Sequence, residues 1–196
     1  MSKDQSLHWP CLFVHVKRIQ IVDVDGIHAA RQFIKKGLAT QLEGLFSERY
    51  AALNDGQAYQ KSAMAMARRS LKSICLSYLL ETEAGESLAI AQLESSDNMT
   101  DTLAAIQGLV LTDSPAAGTA LAGFEAKWKA DALVMDKWFI MQAIKPGSDT
   151  VKTVRKLMGH PAFSIQNPNK VRSLVGVFSM LNPTGFHAAD GSGYVF

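Results

Sequence analysis

From Ile27 onward the apolar residues of this chain recur at helical spacing in every window, and that regularity constrains the fold more than any other feature. Side chains three, four and seven positions apart share one face of an α-helix, a pattern that suits neither a sheet nor a disordered chain. Ile27, Ile34, Leu38, Leu42, Leu45 and Phe46 predict one long helix, with Arg31, Lys35, Glu43 and Arg49 mostly on its other faces. Asn54-Asp55-Gly56 predicts a turn. After it, Ala67, Leu71, Ile74, Cys75, Tyr78 and Leu79 predict a second helix, with Cys75 inside the apolar stripe as a small core residue.

The second half carries clearer punctuation. Asn98 or Thr100 can cap a helix bearing Leu103, Ile106, Leu109 and Val110, and Ser114-Pro115 reads as a cap with proline behind it, opening a helix through Leu121, Phe124 and Trp128. Leu133, Met135, Trp138, Phe139 and Ile144 form an apolar helix ended near Pro146, which predicts a central element buried on more than one side. Ser148 or Asp149 is expected to cap a helix with Val151, Val154, Leu157 and Met158, closed by Gly159 and the His160-Pro161 step. Asn167-Pro168 repeats the cap-plus-proline signal ahead of Val171, Leu174, Val175 and Phe178, and Pro183-Thr184-Gly185 predicts a turn before the glycine-rich Asp190-Gly191-Ser192-Gly193.

Leu12 to Val22, with alternation at Leu12, Val14 and Val16, is the one candidate for a short extended segment. The fold class is therefore all-α: an irregular armadillo- or HEAT-like superhelix of antiparallel helix pairs, each burying a face on its neighbours, with a plain helical bundle as the alternative.

Composition narrows the function classes. The chain has 196 residues and a formal charge of +2, which gives no global reason to expect nucleic acid as a partner. No uncharged apolar stretch approaches the roughly 18–20 residues that span a bilayer, so no membrane partner is expected either. Met1-Ser2-Lys3-Asp4-Gln5 lacks a signal-peptide apolar region, and Cys11 and Cys75 form neither a disulfide framework nor a metal-ligand spacing. Two reduced thiols in a cytoplasmic protein is the expectation.

The motifs are mostly negative. His8, His15, His28, His160 and His187 include no H-E-x-x-H, whose histidines would share one helix face to hold zinc. There is no G-x-S-x-G elbow, phosphate-cradling loop or dinucleotide fingerprint. Asp190-Gly191-Ser192-Gly193 offers too few carboxylates for a calcium loop and reads as a turn. Asn98-Met99-Thr100 reads as a cap rather than a glycosylation site. His160 and His187 are expected to pack or hydrogen-bond locally, and Trp128 and Trp138 to fill seams between helices. Lys145, Lys152, Arg155, Lys156, Lys170 and Arg172 surround the single acid Asp149. They predict a solvated basic face, or else Lys170 and Arg172 add positive potential at the helix that Asn167-Pro168 opens, where a carboxylate could be held.

Three blocks go beyond pattern. Asn98-Met99-Thr100-Asp101 with Leu133-Val134-Met135-Asp136-Lys137-Trp138-Phe139, then Asn167-Pro168-Asn169-Lys170-Val171-Arg172-Ser173-Leu174, and the ending Phe186-His187-Ala188-Ala189-Asp190-Gly191-Ser192-Gly193-Tyr194, closely resemble the C-terminal helical domain of bacterial aminopeptidase N, the zinc-dependent alanyl aminopeptidase family. The resemblance divides the chain into a poorly matched segment 1–21 and a C-terminal-type helical domain 22–196. It implies a non-catalytic cap that packs over a catalytic domain, encloses a chamber and restricts entry to short peptides. Zinc is expected only in that catalytic domain, with no cofactor bound by this chain. Arg172 is the implied chamber-facing residue that meets the peptide's carboxyl side, with Asn167 and Asn169 as weaker candidates. Relative to a whole enzyme of the family, truncation at both ends is expected. Tyr194, Val195 and Phe196 would then leave an apolar patch that promotes self-association. The alternatives are a free-standing helical-repeat scaffold that binds a peptide or protein, and a fragment without independent function.

Overall fold

A computed structural model describes residues 22–54, 56 and 58–196. The expectations for His8, Cys11, His15, Asp55 and the extended segment at Leu12 to Val22 therefore lie outside the described residues, apart from Val22 itself, which is in no regular element. Among the described residues every regular element is helical. In chain order these are α1 (Val24–Gln41), α2 (Glu43–Leu53), α3 (Ala63–Leu79), α4 (Gly85–Ser95), α5 (Met99–Leu111), α6 (Ala117–Trp128), α7 (Ala132–Ala143), α8 (Thr150–Met158), α9 (Pro168–Val171), a π-helical turn (Arg172–Gly176), α10 (Val177–Leu181) and α11 (Pro183–Phe186).

From α1 to α8 each helix packs on the next, and the odd-numbered ones also pack on one another: α1 on α3, α3 on α5, α5 on α7, and α7 on the π turn. That pattern makes two layers of antiparallel helices, the stack that repeat architectures build. The inner row supplies most of the core, with Leu76 and Leu79 from α3, Ile106 and Leu109 from α5, Met135 and Phe139 from α7, and Leu174 and Phe178 beyond. Trp138 lies at the seam of α6 and α7, its indole N–H donating to Leu121 O at 3.0 Å, and the expected central position of α7 holds. Cys75 is buried as expected, and burial pushes its thiol pKa up.

The caps explain where helices begin. Asp23, Ser62, Asn98, Asp131 and Asn167 each accept a backbone N–H of the first turn, satisfying donors that the helix itself cannot. Ser114 Oγ accepts from Ala116 N at 3.0 Å, but α6 starts only at Ala117, so Pro115 lies in the turn before it.

Three expectations are corrected and one helix is added. The long first helix is two helices, because Leu42 leaves helical geometry at φ −111° and ψ 17° and lets α2 turn onto α3. Helix α4 had no place in the sequence reading; its buried face carries Gly85, Ala89 and Gln92, too small or polar to write an apolar stripe. No side chain caps α8, since Asp149 instead takes Lys152 at 2.6 Å. Pro183-Thr184-Gly185 is the start of a helical turn, with Asn182 Oδ1 accepting from Gly185 N at 2.9 Å.

A buried polar seam joins α2, α3, α4 and α5. Lys72 Nζ donates to Asp101 Oδ2 at 2.6 Å, Gln92 Nε2 donates to Asp101 O at 2.9 Å, and the Tyr50 hydroxyl donates to Gln92 Oε1 at 3.0 Å. The Tyr50 phenol is pushed up to about 12, by burial first and then by the negative charge of Asp101.

Candidate functional site

The stretch from the end of α8 through α9 to the first residue of the π turn carries all three candidate residues. After Gly159 the chain turns at His160, whose Nδ1 accepts from Ala162 N at 3.1 Å. That bond requires an unprotonated Nδ1, so Nε2 carries the proton and donates to Glu125 Oε1 at 3.0 Å. The ring packs against Trp138 and Phe139, with centroids 5.1 and 5.7 Å away. His160 thus fixes the start of the segment, the local role expected of it.

At the other end, Asn167 Oδ1 accepts from Asn169 N at 3.0 Å and Pro168 takes the first helical position. Asn167, Asn169 and Arg172 are all exposed. Lys170 is not, and the reading that it adds charge to an exposed helix end is overturned. Its side chain is 6% exposed, and Nζ lies 2.7 Å from Asp136 Oδ1 and donates to Ala132 O at 2.5 Å. The ammonium also sits 5.7 Å from the Phe139 ring centroid. Lys170 is therefore a clasp between α9 and the first turns of α7.

The clasp has a consequence for the surface. It sets α9 beside the start of α7, where Leu133 is 71% exposed, and Ile165 just before α9 is 64% exposed. Polar groups from Asn167, Asn169 and Arg172 thus accompany two uncovered aliphatic side chains. Arg172 opens the π turn, in which Val177 N–H reaches back five residues to Arg172 O. Such single-turn widenings are enriched at functional sites. Gly176 and the small Ser173 are the only local hints of it in the sequence, and neither is specific.

Elsewhere on the basic stretch three cations are held, while Lys156 is exposed and forms no ion pair among the described residues. Lys145 meets Asp113 at 2.5 Å, Lys152 meets Asp149 at 2.6 Å, and Arg155 donates to Val195 O at 3.0 Å. Arg172 forms no ion pair among the described residues. Its guanidinium is exposed and available to an anion.

The remaining candidates are structural. His187 Nδ1 and the Tyr194 hydroxyl share a hydrogen bond, and Asp190 Oδ1 accepts from Ser192 N at 2.9 Å, which lowers the Asp190 carboxyl below its usual range. Gly191 needs its positive φ of 71° for that turn, and a Cβ on Gly193 would meet Phe186 O at 2.0 Å. Tyr194 and Val195 are 65% and 78% exposed, whereas Phe196 packs on Phe178 with centroids 5.4 Å apart, so the terminal apolar patch is smaller than expected. Among the described residues no group of three or more His, Cys, Asp and Glu side chains converges to hold a metal ion.

Comparison with known proteins bears on this geometry. A family model described as "Domain of unknown function (DUF3458_C) ARM repeats" matches residues 3–196. Aminopeptidase N of Haemophilus influenzae is 41% identical over 177 residues, which is 89% of this chain and 20% of that protein. Aminopeptidase N of Escherichia coli is 39% identical over 178 residues, 90% of this chain and 20% of that protein. The crystal structure of Legionella pneumophila aminopeptidase A in complex with aspartic acid superposes with a TM-score of 0.85 at 32% identity, covering 96% of this chain and 23% of that one. The chain thus spans about a fifth of the length of the curated relatives it matches, and the likeness is to their C-terminal region.

Proposed function

Because this chain belongs to the ARM-repeat family with the DUF3458_C domain, homologous to the C-terminal region of aminopeptidase N, we propose that it is the non-catalytic helical part of an aminopeptidase N-like zinc peptidase. It caps the active-site chamber and restricts which peptides enter. The Arg172 face looks into that chamber, and the guanidinium receives the carboxyl side of a short peptide, with Asn167 and Asn169 beside it. One observation carries this reading: Arg172 is an exposed cation without an acid partner among the described residues, while Lys145, Lys152 and Lys170 each have one. The partner is the catalytic part of such an enzyme, which holds the zinc. The chain itself binds no cofactor, and its place of work is the cytoplasm.

The test is direct. Purified chain incubated with zinc and alanyl-p-nitroanilide is expected to release no product, and turnover that a chelator abolishes would overturn the non-catalytic role. A peptide-binding scaffold that works alone is the other reading. It is favoured if the chain captures short peptides with a free carboxylate, dependent on Arg172, without any catalytic partner. The exposed Tyr194 and Val195 support self-association at high concentration, which sedimentation at several concentrations reads out.

A further inference from the structure

Helices α4 and α6 each pack on α5, with no comparable packing between the two, and a groove of about 700 Å³ lies over α5 in the gap. Its floor is core, since Ile106, Leu109 and Phe124 are buried beneath it. The groove stays open because α6 turns small residues toward it: Ala116, Ala120 and Gly123 follow one another at helical spacing, and larger side chains there would close the gap. A Cβ built on Gly123 meets nothing within 4 Å. None of the lining residues belongs to α8, α9 or the π turn, so the groove is separate from the Arg172 face.

Charge is confined to one end. Successive helices are antiparallel, so the end of α4, the α4–α5 link and the end of α6 lie together, and they bring Glu94, Asp97 and Lys127, the charged residues that line the groove. Lys127 Nζ is already seated 5.4 Å from the Trp128 ring centroid. Glu94 is exposed and has no hydrogen-bond or ion-pair partner among the described residues. Asp97 accepts from Asn98 Nδ2 at 3.0 Å and from Tyr59 N at 2.9 Å, and these bonds, the Asn98 one first, hold its carboxyl below the usual range and keep it charged. The other charges on the three helices are engaged elsewhere: Glu86 with Ser114, Asp101 with Lys72 and Glu125 with His160. Lys129, just past α6, is exposed and does not line the groove.

We propose that this groove binds a small amphipathic amine, with its apolar body on Ile106, Leu109 and Phe124 and its ammonium against Glu94 and Asp97. The inference goes beyond the functional reading above and does not depend on it. Two features name the occupant. The volume falls within the ~300–1,000 Å³ of small-molecule sites, which are mostly apolar with a few polar groups that fix orientation. Two carboxylates against one lysine that already rests on an indole leave the charged end net negative, which complements a cation and repels an anion.

Isothermal titration calorimetry of the full chain with octylamine is expected to show one site per chain. Octanol keeps the apolar body without the charge and should bind about tenfold more weakly, with octanoate weaker still. Gly123→Leu fills the groove and should weaken octylamine binding by about tenfold or more. Leucine has room there and favours a helix over glycine, so the variant keeps its fold, which far-ultraviolet circular dichroism checks. Glu94→Gln combined with Asp97→Asn should bring octylamine down to the level of octanol, and Arg172→Ala should leave it unchanged. No binding of octylamine, equal binding of the three probes, or binding indifferent to Gly123→Leu overturns the site. Self-association in sedimentation velocity that Gly123→Leu abolishes, without octylamine binding, overturns it in favour of a second copy. A complex with the portion of Haemophilus influenzae aminopeptidase N that precedes its matched 177 residues, lost in the same variant and again without octylamine binding, overturns it in favour of that protein partner.

Discussion

Replacing Lys170 with Met tests whether a single buried cation anchors the candidate surface. The substitution keeps most of the stem but removes the ammonium 2.7 Å from Asp136 Oδ1 and its bond to Ala132 O. The side chains of Lys170 and Asp136 are 6% and 17% exposed, so the carboxylate left behind stays largely out of water. Breaking a buried pair in this way costs ~3–5 kcal/mol, and the partial exposure of Asp136 places the expected loss near the lower bound, about 3 kcal/mol. Lys170→Met with Asp136→Leu leaves no orphaned charge and recovers to within about 1 kcal/mol of the parent. Urea unfolding with an unchanged slope reads both values. A single-variant loss below about 1 kcal/mol would mean that the pair behaves as a solvated one, and that Lys170 belongs with the exposed basic face after all.

Other expectations follow from the polar seam and the caps. Tyr50 has its pKa raised to about 12, so the folded chain keeps a proton that the unfolded chain loses from about pH 10 upward. That contribution is complete below about pH 10 and fades toward pH 12, so the difference in stability between the parent and Tyr50→Phe should shift against the parent across that window. Asn98→Ala removes the acceptor of Asp101 N and the amide that donates to Asp101 Oδ2 at 3.1 Å, and should lower stability by ~1–2 kcal/mol in a denaturant titration. In a Cys11→Ser chain, Cys75 at 2% exposure should react with a thiol reagent only as urea unfolds the protein; fast labelling in buffer would contradict its place in the core.

Much of this architecture is legible from short-range chemistry. Asn98 and Asn167 announce their helix starts because a cap depends on residues two or three positions away. The apolar run of α7 announces a central helix because burial on several sides needs apolar residues all round. What stays hidden depends on distant partners. Near Leu42 only Gly44 weakens a helix and no proline stands there; the bend is set by how α2 lies against α3. Lys170 looks like one more surface lysine until α7 brings Asp136 and Ala132 to it. Helix α4 is unreadable because its buried face uses Gly85, Ala89 and Gln92, with Gln92 chosen for its bonds to Tyr50 and Asp101 rather than for hydropathy. At the candidate surface, Asn167, Asn169 and Arg172 are named by resemblance alone; their exposure, the clasp behind them and the π turn at Arg172 come from the fold.

The chamber role of Arg172 is tested most directly by a transplant. The matched fifth of Haemophilus influenzae aminopeptidase N is replaced with this chain, and hydrolysis of a short peptide with a free carboxylate is compared with hydrolysis of alanyl-p-nitroanilide, which has none. With Arg172→Ala in the transplant, KM for the free-carboxylate peptide should rise by about tenfold, a lost charge-assisted contact, while alanyl-p-nitroanilide is cleaved as before. Equal kinetics for both substrates with and without the guanidinium would contradict a chamber-facing Arg172.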